Sequence, residues 1–462
     1  MTDESGSTSS APREGSLDAP TRHPLGWQEM DFFDEAKLDE ELRRVFDICH
    51  GCRRCFNLCD SFPRLFDLID ESETGELDSV DSADFTPVVD ACTLCDMCYM
   101  TKCPYVPPHE FNLDFPHLML RARAIEAKKG GVGWNEKQLI QTDRNGRLAG
   151  KMSGMANWAS DRGNKLTRPV IEKIAGVHRD ADLPKYVPAS RTFVRQAENT
   201  PPEVNTTAPA FGREAVLYAT CFVNYNSPSI GEAAQAVLAR NGVETEVAYP
   251  GCCGMPKLES GDIDSVAASA RTVAADMKPW IDKGYDIVAL VPSCALMLKF
   301  EWPLILPGDE NVKRLSEATR DITEYVVDIA RNEGLAEGLT PVEGGVTVHI
   351  ACHARAQNIG MKGADMLRLL PDTDISVIER CSGHGGSWGM MKDNFDTALK
   401  VGKPVARDAV EKNRGAVVSE CPLAALHILQ GMEAINEGSD QPSAIPDVAP
   451  HPIEIMAKAY GL

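Results

Sequence analysis

The chain has 462 residues, 43% of them hydrophobic and 25% charged, with 15 cysteines and a net charge of −21. That length allows about three domains with real hydrophobic cores, so disulfides are not needed as scaffolding, and the acidic balance argues against a general nucleic-acid binder, which needs a basic footprint. No run of about 18 apolar residues exists to span a membrane, and residues 1–20, rich in Ser, Thr and acids, read as neither a secretory signal nor a twin-arginine leader. The expected location is cytoplasmic, where thiols stay reduced. Fifteen cysteines there must serve metal binding or catalysis.

Residues 1–22 are small and polar without periodicity and are expected to form a disordered tail. From Trp27 to Phe46 the apolar residues Leu38, Leu42, Val45 and Phe46 recur at helical spacing, opening a mainly helical domain over 23–120. Eight cysteines follow between Cys49 and Cys103. They are interrupted by Asp70 to Asp84, seven carboxylates with no base, which reads as a solvated loop. Residues 121–210 form a basic linker region. Within 121–199 sixteen Lys and Arg stand against eight Asp and Glu, so the remainder of the chain carries −29. Short helices and loops are expected there, packed on acidic surface of the same chain. Contact with anionic lipid or a partner is the alternative.

After Thr200-Pro201-Pro202 apolar runs alternate with helical stretches. Ala215–Ala219, Thr245–Tyr249 and Ile287–Val291 read as strands, with helices over 230–241 and 263–283. The pattern recurs, with strands at Val346–Ile350, Ile375–Ile378 and Ala416–Ser419 and helices over 362–370 and 395–413. Such alternation predicts parallel sheets with crossover helices. Cys352, Cys381 and Cys421 follow Cys221, Cys252 and Cys294 by 131, 129 and 127 residues, a near-constant offset that marks an internal duplication. The expected fold class is α+α/β: a mainly helical two-[4Fe–4S] ferredoxin domain over 23–120, then a duplicated α/β cysteine-rich domain. Its repeats cover 211–340 and 341–440, and a C-terminal tail covers 441–462. No P-loop and no dinucleotide fingerprint opens either repeat, so no flavin or nicotinamide site is expected.

Cys49, Cys52, Cys55 and Cys59 read C-x2-C-x2-C-x3-C, and Cys92, Cys95, Cys98 and Cys103 read C-x2-C-x2-C-x4-C with Pro104 next. This is the two-cluster ferredoxin signature, in which the fourth cysteine of each run serves the other cluster. A four-iron cube needs four thiolates. Three closely spaced cysteines in a looped backbone wrap three corners, and the fourth comes from elsewhere. One cluster is therefore assigned Cys49, Cys52, Cys55 and Cys103, and the other Cys92, Cys95, Cys98 and Cys59. Asp60 stands where proline is usual, and the second run has one extra residue before Cys103; neither departure removes a thiolate. Two four-cysteine zinc sites are the alternative. His109 reads as a hydrogen-bonding neighbour rather than a ligand.

Each cysteine of the C-terminal half follows a strand candidate, which places it at the carboxyl end of a parallel sheet, where open α/β sheets bind ligands. Cys252-Cys253-Gly254 and its partial copy Cys381-Ser382-Gly383, downstream of a two-cluster region, resemble the cysteine-rich "CCG" domain proteins. That heterodisulfide reductase-related iron–sulfur family includes the glycolate oxidase iron–sulfur subunit and, from anaerobic glycerol-3-phosphate dehydrogenase, the subunit designated C. Residues 292–298, 352–360 (CHARAQNIG) and 383–392 (GHGGSWGMMK) look most like the latter, and the resemblance covers about residues 40–440.

The family's full motif ends in C-x-x-C and holds an unusual cluster on five cysteines. Here Met297 replaces the last of them, leaving Cys221, Cys252, Cys253 and Cys294 for a third iron–sulfur cluster. In the second repeat Ser382 and Ala424 replace two more. Cys352, Cys381 and Cys421 remain, with His384 or His353 as a fourth donor to zinc or a further cluster; a decayed site of buried thiols is the alternative. A redox-active dithiol at Cys252-Cys253 is a third reading of the first repeat. The resemblance implies a flavoprotein dehydrogenase or reduced carrier as electron donor. It implies quinone or another acceptor, a membrane-associated partner included, and a place in the cytoplasm or peripherally on the inner face of the membrane. The expected function is the electron-transfer subunit of an oxidoreductase complex. The alternative is a disulfide or heterodisulfide reductase acting at a cluster in the first repeat.

Overall fold

The helical periodicity read from Trp27 onward resolves into a 3-10 turn, Met30–Phe33, and a helix, Glu35–Cys52. Asp34 starts the helix by accepting hydrogen bonds from the Ala36 and Lys37 N–H groups, which would otherwise have no partner in the first turn. Leu42, Val45 and Phe46 form its buried face and meet a second helix, Ser61–Asp70, which buries Phe62, Leu65, Phe66 and Ile69. Phe46 lies edge-on to Phe85 at 5.1 Å, and Phe62 packs on Phe115 at 4.7 Å. The first helix continues through Cys49 and Cys52, so these two cysteines sit one turn apart on a helix rather than in the looped backbone expected.

This computed structural model describes residues 20–437 and 444–462, and the chain divides into one unit ending at Arg121 and one running from Ala122 to Leu462. Of the tail expected to be disordered, residues 1–19 lie outside the described residues. Arg22 is fixed: it donates two hydrogen bonds to Asp96 at 2.8 and 3.0 Å and two to Asp114 at 2.8 and 3.1 Å. The acidic stretch folds as two short 3-10 turns, Leu77–Ser79 and Ser82–Phe85. Leu77, Val80 and Phe85 hold it down by burial while its carboxylates stay in solvent.

The second unit holds two parallel sheets. β1 (Glu214–Tyr218), β2 (Glu244–Ala248), β3 (Asp286–Ala289) and β4 (Thr319–Asp321) lie in the order β2-β1-β3-β4. β5 (Val346–His349), β6 (Ile375–Ile378) and β7 (Ala416–Ser419) lie in the order β6-β5-β7. In each sheet the first strand in sequence is central and the next two flank it. Ala215–Tyr218 and Val346–His349 are buried throughout, as strands covered by helices on both faces must be. β4 was not foreseen, because Thr-Arg-Asp offers no apolar run. Around β5, Val346, Val348, Ile350, Leu367 and Val418 form one core cluster.

Residues 452–459, expected as part of a tail, are a buried helix. His451 and Glu454 cap it reciprocally, and it packs on the helices 228–240 and 362–367. The basic segment is helical over Trp134–Leu139, Thr142–Lys151, Ser153–Ser160, Arg168–Ala175 and Phe193–Asn199. Arg168 is buried and donates to the carbonyls of Arg179, Ser160, His178 and Ala181. Arg162 pairs with Asp182 and with Glu433 from the second sheet's last helix, so part of the segment's charge is answered by acids of the same chain, as expected. Among the described residues no helix is long and apolar enough to cross a membrane.

Candidate metal centres

In the first unit eight thiols are enclosed: Cys92 and Cys98 are buried and the other six half-buried. Cys49 and Cys52 come from the end of the helix 35–52, which Arg53 stops in a left-handed conformation. Leu94 and Asp96 also take positive φ, at 46° and 61°, curling the backbone between Cys92 and Cys98. Burial pushes the Cys49 thiol well above its usual range, and the nearby Cys103, Cys55 and Cys52 push it further. Cys55 is driven to about 12 by burial, Cys103 and Cys52. Cys98 is raised by burial and then by Cys95, Cys92, Cys55 and Cys59. Cys49 thus has Cys103, Cys55 and Cys52 as neighbours, and Cys98 has Cys95, Cys92, Cys55 and Cys59. Packed this closely, four thiols resist ionising together, and a cationic iron–sulfur core is what would let four thiolates coexist. The donor set fits such a core.

Arg22 braces this region from the side. Its guanidinium lies 4.8 Å from the Tyr99 ring centroid, and Tyr99 donates to the Thr21 carbonyl at 2.8 Å. Burial would raise Asp114, but Arg22 and His117 hold it down at about 2. His109 packs on Tyr105 and Phe111 and accepts from the Phe111 N–H at 3.1 Å.

In the second unit every candidate cysteine lies just beyond the carboxyl end of a strand: Cys221 after β1, Cys252-Cys253 after β2 and Cys294 after β3. The order β2-β1-β3 sets these three groups side by side on one rim. The Cys221 and Cys252 sulfurs are 3.7 Å apart. Cys221 and Cys253 hydrogen-bond to Cys252 and hold it well below its usual range, while the Thr142 hydroxyl at 3.3 Å and the Gly254 N–H at 3.4 Å add to the effect. Cys252 is therefore the thiol this set ionises first.

Its supports come from far along the chain. Asp143 accepts the Cys252 N–H at 3.2 Å and contacts the Tyr249 hydroxyl. Tyr218 donates to the Gly251 carbonyl at 2.5 Å, and the Trp302 N–H to the Cys253 carbonyl at 3.1 Å. Thr142 and Asp143 belong to the segment read as a linker, so that segment also walls the first cysteine set. No local signal at 142–143 gives this away.

In the second repeat Cys352, Cys381 and Cys421 follow β5, β6 and β7. Burial lowers the His384 ring to about 3, and the neighbouring His427 and His353 lower it further; the His427 ring lies 6.3 Å away. Cys381 accepts the Gly383 N–H at 3.4 Å. Cys421 is raised by burial and feels Cys294 of the first repeat, so the two rims approach one another there.

Glu420, which the motif reading passed over, is buried and driven up to about 8 by burial and by Asp321. It accepts the N–H groups of Ala351 at 3.1 Å and Gly363 at 3.0 Å. A lone acid directly after the apolar strand 416–419 was the available signal. His349 ties β5 to β7: its Nε2–H donates to the Arg380 carbonyl at 3.0 Å, which leaves Nδ1 to accept from the Ser419 hydroxyl at 2.9 Å. Among the described residues no three His, Cys, Asp or Glu side chains meet around the position of a single ion.

Two stretches of the second unit, 215–299 and 346–428, match the family described as the cysteine-rich domain CCG, and all seven cysteines of the two rims fall inside them. The chain is 26% identical over 288 residues to the subunit designated C in the anaerobic glycerol-3-phosphate dehydrogenase of Escherichia coli K12, covering 61% of this chain and 69% of that one. It is 29% identical over 229 residues to the subunit designated B in the CoM/CoB fumarate reductase of Methanothermobacter marburgensis, covering 48% and 43%. It is 27% identical over 224 residues to an iron–sulfur protein of Methanocaldococcus jannaschii, covering 48% and 42%.

Proposed function

We propose that this protein, a CCG-domain protein by its two cysteine-rich domains, is the iron–sulfur electron-transfer subunit of an oxidoreductase complex. The observation that supports the reading is the close packing of eight enclosed thiols, Cys49 beside Cys103, Cys55 and Cys52, and Cys98 beside Cys95, Cys92, Cys55 and Cys59. On this reading the first unit is a two-cluster ferredoxin domain and the second a duplicated α/β domain. Cys49, Cys52, Cys55 and Cys103 hold one [4Fe–4S] cluster, and Cys92, Cys95, Cys98 and Cys59 the other. Cys221, Cys252, Cys253 and Cys294 hold a third. The second repeat keeps only Cys352, Cys381 and Cys421, with His384 or His353 as a fourth donor, and is a degenerate copy. Bound clusters supply one-electron acceptance at potentials set by hydrogen bonds and burial.

The chain's own residues keep water from those sites and tune them. The Thr142 hydroxyl and Gly254 N–H stabilise negative charge on the Cys252 sulfur. The donor is a flavoprotein dehydrogenase or reduced carrier, the acceptor a quinone or a membrane-associated partner, and the protein sits peripherally on the inner face of the membrane. The names of the relatives, subunits of a dehydrogenase and of a reductase, support this assignment.

Anaerobic redox titration of the purified protein tests it. Stepwise reduction should bleach the visible iron–sulfur absorbance, and a soluble quinone should restore it. Absorbance that does not respond to reductant, or a reduced protein that no quinone or carrier reoxidises, would overturn the reading. Disulfide turnover abolished by Cys253→Ala would instead favour a reductase.

A further inference from the structure

We propose that residues 134–175 form a lipid-docking face that seats the protein on an anionic bilayer surface. The inference rests on the peripheral placement proposed above and identifies the surface responsible. Four short helices build it. Helix 134–139 packs on 168–175, and 153–160 packs on both 142–151 and 168–175. Their inner sides carry structural duties already described, at Thr142, Asp143 and Arg168.

Their outer sides are apolar. Met155 and Trp158 lie one turn apart on one helix with Met152 just before its start, and Val170 and Ile174 lie one turn apart on another. With Trp134, Leu148 and Leu166 these side chains are 52–77% exposed, and they make up eight of the sixteen exposed large hydrophobics among the described residues. Single exposed apolar residues are ordinary, but eight on mutually packed helices and the turns that join them are a patch that something covers.

The charge on these helices and the turns that join them identifies the cover. Lys137, Arg147, Lys151, Lys165 and Lys173 are exposed, and among the described residues none of them forms an ion pair. The cores of protein–protein interfaces are depleted of charge. Tryptophan and methionine interleaved with unpaired Lys and Arg instead match the boundary between acyl chains and anionic headgroups. The rest of the chain outside 121–199 carries −29 and would be repelled by an anionic surface, so attraction to one falls to this segment.

Flotation of the full protein with vesicles tests the proposal. Vesicles of phosphatidylglycerol and phosphatidylcholine should carry the protein, pure phosphatidylcholine should not, and high salt should release it. The variant K151Q/K165Q/K173Q should partition on the order of 100-fold less, about fivefold per lysine. The variant W134S/W158S should weaken binding even at low salt. All five positions are exposed, and unchanged circular dichroism and iron content check that the variants fold. Absence of vesicle binding, or binding equal in wild type and variants, overturns the proposal. So does a wild-type dimer that W134S/W158S makes monomeric, which would assign the patch to a second copy. Flotation needs no electron donor, so a failed relay and a failed docking surface are told apart.

Discussion

Arg22 does the work of a buried staple. Its side chain is 12% exposed and that of Asp96 6%, and it spans two carboxylates, one of them between Cys95 and Cys98. Arg22→Met removes the guanidinium that binds both Asp96 and Asp114, and removing one partner of a buried ion pair costs about 3–5 kcal/mol. Chemical denaturation of the holoprotein should show a loss of that size, with the midpoint lowered and the first unit's cluster signals lost first. Glu259 makes a second residue-scale case. Burial drives its carboxyl up from 4.5 to about 8, with Arg123 opposing and Glu136 reinforcing. A raised carboxyl pKa means the folded state holds a proton that the unfolded chain has already released. Stability therefore falls as pH rises from about 4.5 to about 8 and levels off above. Glu259→Gln should flatten thermal stability across that window; an unchanged slope would remove Glu259 as its source.

At the scale of elements, helix 142–151 lies so close to the helix 221–225 that a Cβ at Gly146 would stand 2.3 Å from the Tyr225 ring. Gly146→Ala must push the two apart and pull Thr142 from the Cys252 sulfur, at an overpacking cost of about 1–3 kcal/mol. The signal of a third cluster should shift in potential while the first unit's pair stays put. Equal shifts in all would contradict the role given to this helix.

The sequence makes some elements plain and hides others, for physical reasons. β6 and β7 begin and end where the apolar runs do, and the other apolar strands shift by a residue or two, because buried parallel strands are continuous runs of Val, Ile and Ala. β4 escapes, being three polar residues paired only by backbone. The helical setting of Cys49 and Cys52 escapes because the cysteine spacing suits loop and helix alike. The C-terminal helix escapes because short apolar segments far from any motif give no sign of the partners they pack on. Thr142 and Asp143 meet Cys252 only through the fold, from more than a hundred residues away, whereas Glu420 stands next to Cys421 and carries no motif to mark it.

At the scale of the whole molecule, a helical unit carries eight enclosed thiols, and an α/β unit carries seven on two rims that approach at Cys294 and Cys421. The second unit's basic segment bears eight exposed large hydrophobics. On the proposed reading, relay, tuning and docking fall to different parts of one chain. The account stands on clusters being held by the crossed cysteines. The most direct measurement is iron, acid-labile sulfide and zinc per chain after anaerobic purification, with EPR of the reduced protein. The account predicts about twelve irons with matching sulfide, no stoichiometric zinc, and interacting signals from the first unit's pair. Zinc in place of iron, or no acid-labile sulfide, would contradict it.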